Sequence, residues 1–352
     1  MPDPKDITTR KSDHIALCVD GDVGFEVKTT LFGEVELIHD ALPELALDGI
    51  DLSIQLLGKR LAAPLVIAAM TGGTPGAAAI NRDLAAAAER FGIGFAFGSQ
   101  RPLLTRGIED GYRIRDVAPT ALVIGNIGIV QARETTTNRL RDMAVSSGCD
   151  ALAVHLNPAM EVVQPDGDRD FRGGLDTIRR LLDELGLPIV VKETGCGLSR
   201  RVGERLVATG VQSVDVSGAG GTSWVAVEMH RAEGPGRALG ARFREWGIPT
   251  AASVAQLRGV GLNIIATGGI ADGLTAAKAL ALGANAVGIA RPFLKAQAQG
   301  VQALEYAITA VIAELRVACL LTGSADVNAL RSAPTVIGPT LQRWVDAGRT
   351  AS

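Results

Sequence analysis

Ala151-Leu152-Ala153-Val154-His155 and Pro188-Ile189-Val190-Val191-Lys192 decide the fold. Each is an apolar run without polar alternation, and each ends on a residue able to do chemistry. Such runs suit short parallel strands buried on both faces. Six more follow the same pattern, at residues 64–69, 93–98, 121–125, 213–217, 263–267 and 286–290. Helical patterns lie between most of them, for example at 77–91, 175–185 and 274–282. Strand–helix alternation repeated eight times predicts an α/β fold, a (β/α)8 TIM barrel, whose active site sits at the carboxyl ends of the strands. Those ends read Met70-Thr71-Gly72-Gly73, Ser99-Gln100-Arg101, Asn126, His155-Leu156-Asn157, Lys192-Glu193, Ser217, Gly268-Gly269 and Arg291. So many amides, hydroxyls and cations on one rim predict an enzyme that binds something large and anionic.

Bulk composition narrows the class. The 352 residues are 47% hydrophobic and 21% charged, with a net charge of −3 that gives no electrostatic case for a nucleic-acid partner. No window approaches eighteen consecutive apolar residues, so no membrane helix is expected. The first residues lack the apolar core of a signal peptide. Cys18, Cys149, Cys196 and Cys319 are scattered without CxxC spacing, which fits a reduced cytoplasmic enzyme. Residues 1–58 read as an N-terminal extension with a polar, mobile tail at 1–12. A turn at 39–44 and a short strand at 50–56 follow, and the piece is expected to close the bottom of the barrel or cover a side. Residues 59–352 read as the barrel with C-terminal helices, the barrel proper ending near 292. The longest connection, 218–249, follows the sixth strand and resembles a lid. It carries Trp224, a helical stretch with Glu228, and then Glu233-Gly234-Pro235-Gly236. A long amphipathic helix is expected at 301–322 and a second helix near 325–331.

Gly268-Gly269 closes the seventh strand and Ala290-Arg291 the eighth. Loops at these places bind phosphate in many barrels, through backbone N–H groups and a helix N-terminus. The alternative is that the glycines only make tight turns. A ring system anchored there would lie over Thr71, Ser99, Asn126 and Lys192. Lys192 admits two roles, a Schiff-base nucleophile or a cation beside the electron-rich edge of a flavin. No aldolase-like acid–base set accompanies it, which favours the flavin.

The block His155-Leu156-Asn157-Pro158-Ala159-Met160-Glu161 and its continuation to Phe171 is unusually polar for a loop after a strand. With Arg10-Lys11, His14-Ile15, the HDALPE stretch at 39–44, Met70-Thr71-Gly72-Gly73, Gly98-Ser99-Gln100-Arg101, Lys192-Glu193-Thr194-Gly195 and Ser217–Trp224, it makes the chain resemble the FMN-dependent type 2 isopentenyl-diphosphate isomerases over nearly its full length. The resemblance implies interconversion of two five-carbon alkenyl diphosphates by one proton gained and one lost. It implies reduced FMN as acid–base, NADPH or another reductant to prime it, Mg2+, and a homotetramer or homo-octamer. Arg10, Lys11, His14, Ser99, Gln100, Arg101, His155 and Asn157 would then hold the diphosphate, and Glu161 the metal. Ala69, Met70, Thr71, Ser99, Asn126, Lys192, Ser217, Thr222, Gly268, Gly269, Ala290 and Arg291 would hold FMN. Trp224 and Glu228 would stand beside the reacting carbons, as aromatic wall and proton relay.

Bland readings stand beside these. Arg10 and Lys11 suit a solvated tail, Arg101 a surface helix start, His155 a satisfied core histidine, and Glu161 and Glu228 helix residues. Met160 departs from the family pattern, which has Gln immediately before the metal-binding Glu. A thioether accepts hydrogen bonds weakly and cannot carry a proton. A diverged enzyme acting on a prenyl diphosphate in another FMN-dependent reaction is therefore a second expectation. A third is an FMN-dependent 2-hydroxy-acid oxidoreductase. That chemistry needs a His base and an Arg in the sixth loop, where this chain has Ser217-Gly218-Ala219-Gly220-Gly221-Thr222.

Overall fold

A computed structural model describes residues 17, 21, 23–70, 72–73, 75–164 and 166–350. Eight parallel strands close into a barrel: β1 Leu65–Ile67, β2 Gly94–Ala96, β3 Leu122–Gly128, β4 Ala151–Leu156, β5 Ile189–Glu193, β6 Ser213–Asp215, β7 Asn263–Ala266 and β8 Ala286–Ile289. Each pairs with its neighbour in sequence, and Val287 opposite Leu65 closes the ring. All eight expected strands form, as do the helices Pro75–Phe91, Gly174–Glu184 and Gly273–Ala281 between them. Val301–Leu321 is the long C-terminal helix, and the second helix is Val327–Arg331.

Successive strand residues point to opposite faces. Leu65, Ile67, Val123, Leu152, Val154, Val191 and Val287 belong to the large cluster shared with the helices. The alternate residues Val66, Leu122, Ile124, Ala151, Ala153, Val190, Ile265 and Ala286 form a second cluster inside the barrel. Leu56 and Leu61 join that inner cluster. They come from the antiparallel hairpin Ile54–Leu56 and Lys59–Leu61, which plugs the amino-terminal mouth. Small inward residues such as Ala151, Ala153 and Ala286 leave the plug its room.

Three local differences from the sequence reading have physical causes. The strand expected from residue 50 begins only at Ile54, because Asp51 Oδ1 accepts a hydrogen bond from Ser53 N (2.8 Å) and holds a turn there. Lys59–Leu61 is the plug's second strand rather than barrel wall, and the wall starts at Leu65. The sixth connection carries two helices, Trp224–Arg231 and Gly234–Phe243, since Pro235 in the first turn of the second is preorganised for helix entry. Cys149, Cys196 and Cys319 are free thiols. No helix among the described residues is long and apolar enough to cross a membrane.

Candidate active site at the carboxyl mouth

Carrying the inward row two residues further along each strand changes its chemistry. Above Ile124 stands Asn126, above Ala153 His155, above Val190 Lys192, above Ser213 Asp215, and above Ile265 Thr267. Asn126, His155, Lys192 and Thr267 floor a cavity of about 490 Å3 at the carboxyl mouth, within the range of cofactor and ligand sites, and Asp215 pairs with Lys192 and Thr267 from behind that floor.

The floor is held by paired groups. Lys192 and Asp215 are opposite in the β5–β6 register, and Nζ lies 2.8 Å from Asp215 Oδ2 with both side chains nearly buried. Asp215 Oδ1 also accepts from Thr267 Oγ1 and from Ser217 N (3.2 Å). Ser217 adopts φ 36°, an uncommon conformation for a residue with a side chain, at the point where the chain turns into the cavity. Asn126 Nδ2 donates to Phe97 O (3.0 Å), so its Oδ1 is the acceptor facing His155 Nδ1 at 2.7 Å. That bond puts a proton on Nδ1 and makes Nε2 the second working nitrogen of the ring. Asn157 Nδ2 donates to Glu161 Oε1 (2.7 Å), and Asp168 N donates to Glu161 Oε2 (2.8 Å).

Ala69, Met70, Ser99, Arg101, Asn126, His155, Asn157, Met160, Glu161, Lys192, Ser217, Thr222, Trp224, Gly268, Gly269, Ala290 and Arg291 all line this one cavity. Gln100 stands behind it, fully buried. It clamps Asn126 through N→Asn126 O (2.8 Å) and through its own Oε1, which accepts from Asn126 N (2.9 Å). Gln100 thus positions Asn126 and is not part of the cavity wall. Glu228 is also fully buried outside the wall, with Arg231 Nη1 2.9 Å from its Oε2. Arg10, Lys11, His14 and Thr71 lie outside the described residues.

Several lining residues carry no signal in the sequence reading. Gly24 reaches the site because it pairs with Thr222 across nearly two hundred residues of chain, and Phe25 follows it. Gln131 also lines the wall, as do Gln164 and Thr194, which the sequence reading met only inside longer motifs. Asp215 had a readable signal, a lone carboxylate inside an apolar run two residues before the strand's end.

Residues 5–170 and 160–336 match the family model for FMN-dependent dehydrogenases. The isopentenyl-diphosphate delta-isomerase of Methanosarcina barkeri is 44% identical over 340 residues, covering 95% of this chain and 93% of the relative. That of a Synechococcus species is 46% identical over 335 residues, covering 94% and 96%. The chain belongs to the isopentenyl-diphosphate delta-isomerase family. Among solved structures, a mandelate oxidase variant with an FMN monooxide adduct superposes with a TM-score of 0.66 at 18% identity, over 92% of this chain and 95% of that one. A flavocytochrome b2 variant with sulfite bound gives 0.68 at 18%, over 96% and 84%. At that identity both report the shared barrel.

The isomerase-family cavity fits the FMN of its fold family. A Cβ on Gly268 (φ 103°) would meet Gly218 O at 2.2 Å, and one on Gly221 would meet Gly269 N at 2.4 Å. Two glycine-rich turns, at 218–221 and 268–269, thus press backbone against backbone, the approach a phosphate cradle needs. Helix Arg291–Ala298 begins beside them with Ala290 at its N-cap, where no side chain supplies an acceptor. A divalent cation also fits at Glu161. Gln164, three residues on and only 6% exposed, has an Oε1 without a protein partner and lines the same wall. Mg2+ keeps several waters, and those waters need acceptors of this kind. No group of three or more His, Cys, Asp or Glu forms a cage among the described residues. Phosphate oxygens and water would therefore complete the shell.

Proposed function

We propose that this enzyme interconverts isopentenyl diphosphate and dimethylallyl diphosphate by proton addition and elimination on reduced FMN, with Mg2+ on the diphosphate. The observation that carries the reading is one cavity that combines the glycine cradle with the His155–Asn126 and Asn157–Glu161 pairs. When bound, reduced FMN supplies acid–base chemistry beside the double bond and Mg2+ offsets diphosphate charge, with NADPH or another reductant priming the flavin. Arg101, His155 Nε2 and Asn157 hold the diphosphate by charge-assisted hydrogen bonds, with Arg10, Lys11, His14 and Ser99 closing on it. Glu161 carries the cation. Lys192, fixed by Asp215, would supply a cation to the flavin. Met160 and Trp224 wall the alkenyl end and exclude water, and the indole face suits a developing positive charge. Glu228, one turn beyond Trp224 and paired with Arg231 behind the wall, would take up and pass on the proton of a relay.

The test is anaerobic incubation of FMN-loaded, reduced protein with isopentenyl diphosphate and Mg2+ in D2O, read by NMR. Deuterated dimethylallyl diphosphate is the expected product. Unchanged substrate with reduced FMN bound would overturn the reading.

Met160 in the wall favours one second reading, another FMN-dependent reaction on a prenyl diphosphate. Loss of a proton-transferring group costs about 10²–10⁴-fold. If Met160 has displaced the isomerase chemistry, Met160→Gln raises turnover at least about tenfold. Unchanged turnover means the amide is dispensable here.

A further inference from the structure

At the opposite end of the barrel, a second cavity of about 300 Å3 opens beside the entrances to β7 and β8. Arg258, Gly259, Leu262, Ile264, Gly283, Asn328, Arg331 and Ser332 line it. None of them takes part in the site described above.

Its charge is one-sided. Arg258 lies across Gly283, where a Cβ would meet the arginine's Cγ at 3.1 Å. Arg331 reaches the same glycine from the other side, its Nη2 donating to Gly283 O over 3.4 Å. That long bond is the hydrogen bond Arg331 makes, and its Nε is buried with no partner. Burial, and after it the neighbouring Arg258 charge, lower the Arg331 pKa. Neither guanidinium has a carboxylate within ion-pair distance among the described residues. Arg258 caps the carboxyl end of helix Thr250–Leu257 and Arg331 is the last residue of Val327–Arg331, and the partial negative charge of those ends offsets some of this excess. Two full positive charges still face one cavity. Asn328 and Ser332 add neutral donors at its rim.

Guanidinium groups are five-donor forks that match tetrahedral oxyanions, and an unused donor is costly when buried. We infer that Arg258 and Arg331 form a second oxyanion site, at the amino-terminal end of the barrel, that takes a phosphate or diphosphate group. Its occupant takes guanidinium N–H groups that face the cavity and separates the two like charges. The site lies at the far end of the β7 and β8 strands from the glycine cradle, so the two anions bind independently of one another.

Inorganic pyrophosphate is the probe. FMN-loaded, full-length protein is titrated calorimetrically at constant ionic strength, alongside Arg258→Gln, Arg331→Gln and the double variant. The wild type is expected to bind two pyrophosphates per chain. Each single change weakens one of them by about tenfold, the worth of one charged hydrogen bond, and the double variant keeps only the other. Arg258 is exposed, so its replacement leaves the packing intact. Loss of the active-site pyrophosphate alone leaves the inference standing. A number of sites and affinities that the double variant shares with the wild type overturns it. So does binding that chloride of equal ionic strength abolishes.

Discussion

The two ends of the barrel interior are built by the same strands and behave as opposites. At the amino end, Val66, Leu122, Ile124, Ala151, Val190, Ile265 and Ala286 meet Leu56 and Leu61 of the plug in a purely apolar layer. At the carboxyl end, the next inward residues are Asn126, His155, Lys192, Asp215 and Thr267, tied by an ion pair and hydrogen bonds around open space. Two residues along a strand separate stability from chemistry. A period of two makes this possible, since it returns the chain to the same face one layer higher. A slip of one residue would bury the whole polar row against the helices.

The largest test of that contrast removes the counter-charge at the polar end. Asp215→Asn leaves the Lys192 ammonium buried without its carboxylate, at a cost of about 4 kcal/mol. Urea denaturation should show that loss, with reduced FMN retention on gel filtration. A stability within experimental error of wild type would mean that the ion pair does not organise the mouth.

At the apolar end, Leu61→Ala opens a void in the plug. A loss of about 3 kcal/mol is expected, with KM for isopentenyl diphosphate unchanged because the change lies at the other end of the strands. A shifted KM would show that the two layers are coupled.

The smallest effect is a pH dependence. Glu193 closes β5 just behind the wall, where its Oε2 accepts from Thr194 N (2.6 Å) and from Cys196 N. Burial pushes its pKa up to about 7, against the partial relief of those bonds. The folded state therefore holds a proton that the unfolded carboxyl releases near about pH 4.3. Stability from this group is complete below that pH and is lost as pH rises through about 7. Glu193→Gln should flatten the stability profile over that window. An unchanged slope would assign the dependence to another group.

The sequence made the polar row visible because strand ends are where apolar runs stop, and His155 and Lys192 mark two of those stops without ambiguity. Asp215 was harder, since its charge falls inside the run and only the β5–β6 register brings Lys192 to it. Gln100 and Glu228 illustrate the limit. Both sit next to residues of the wall, yet one clamps Asn126 from behind and the other is buried against Arg231. One-dimensional proximity does not say which way a side chain turns.

By itself, then, the sequence determined the eight-strand order, the barrel, the glycine cradle and most of the wall, because period, run length and turn residues are local properties. Only the tertiary structure decided that the hairpin at residues 54–61 plugs the barrel, that Gly24 and Phe25 return to the cavity, and that Arg258 and Arg331 face each other without a carboxylate. Each of these depends on contacts between segments far apart in the chain, and no local pattern encodes such a meeting.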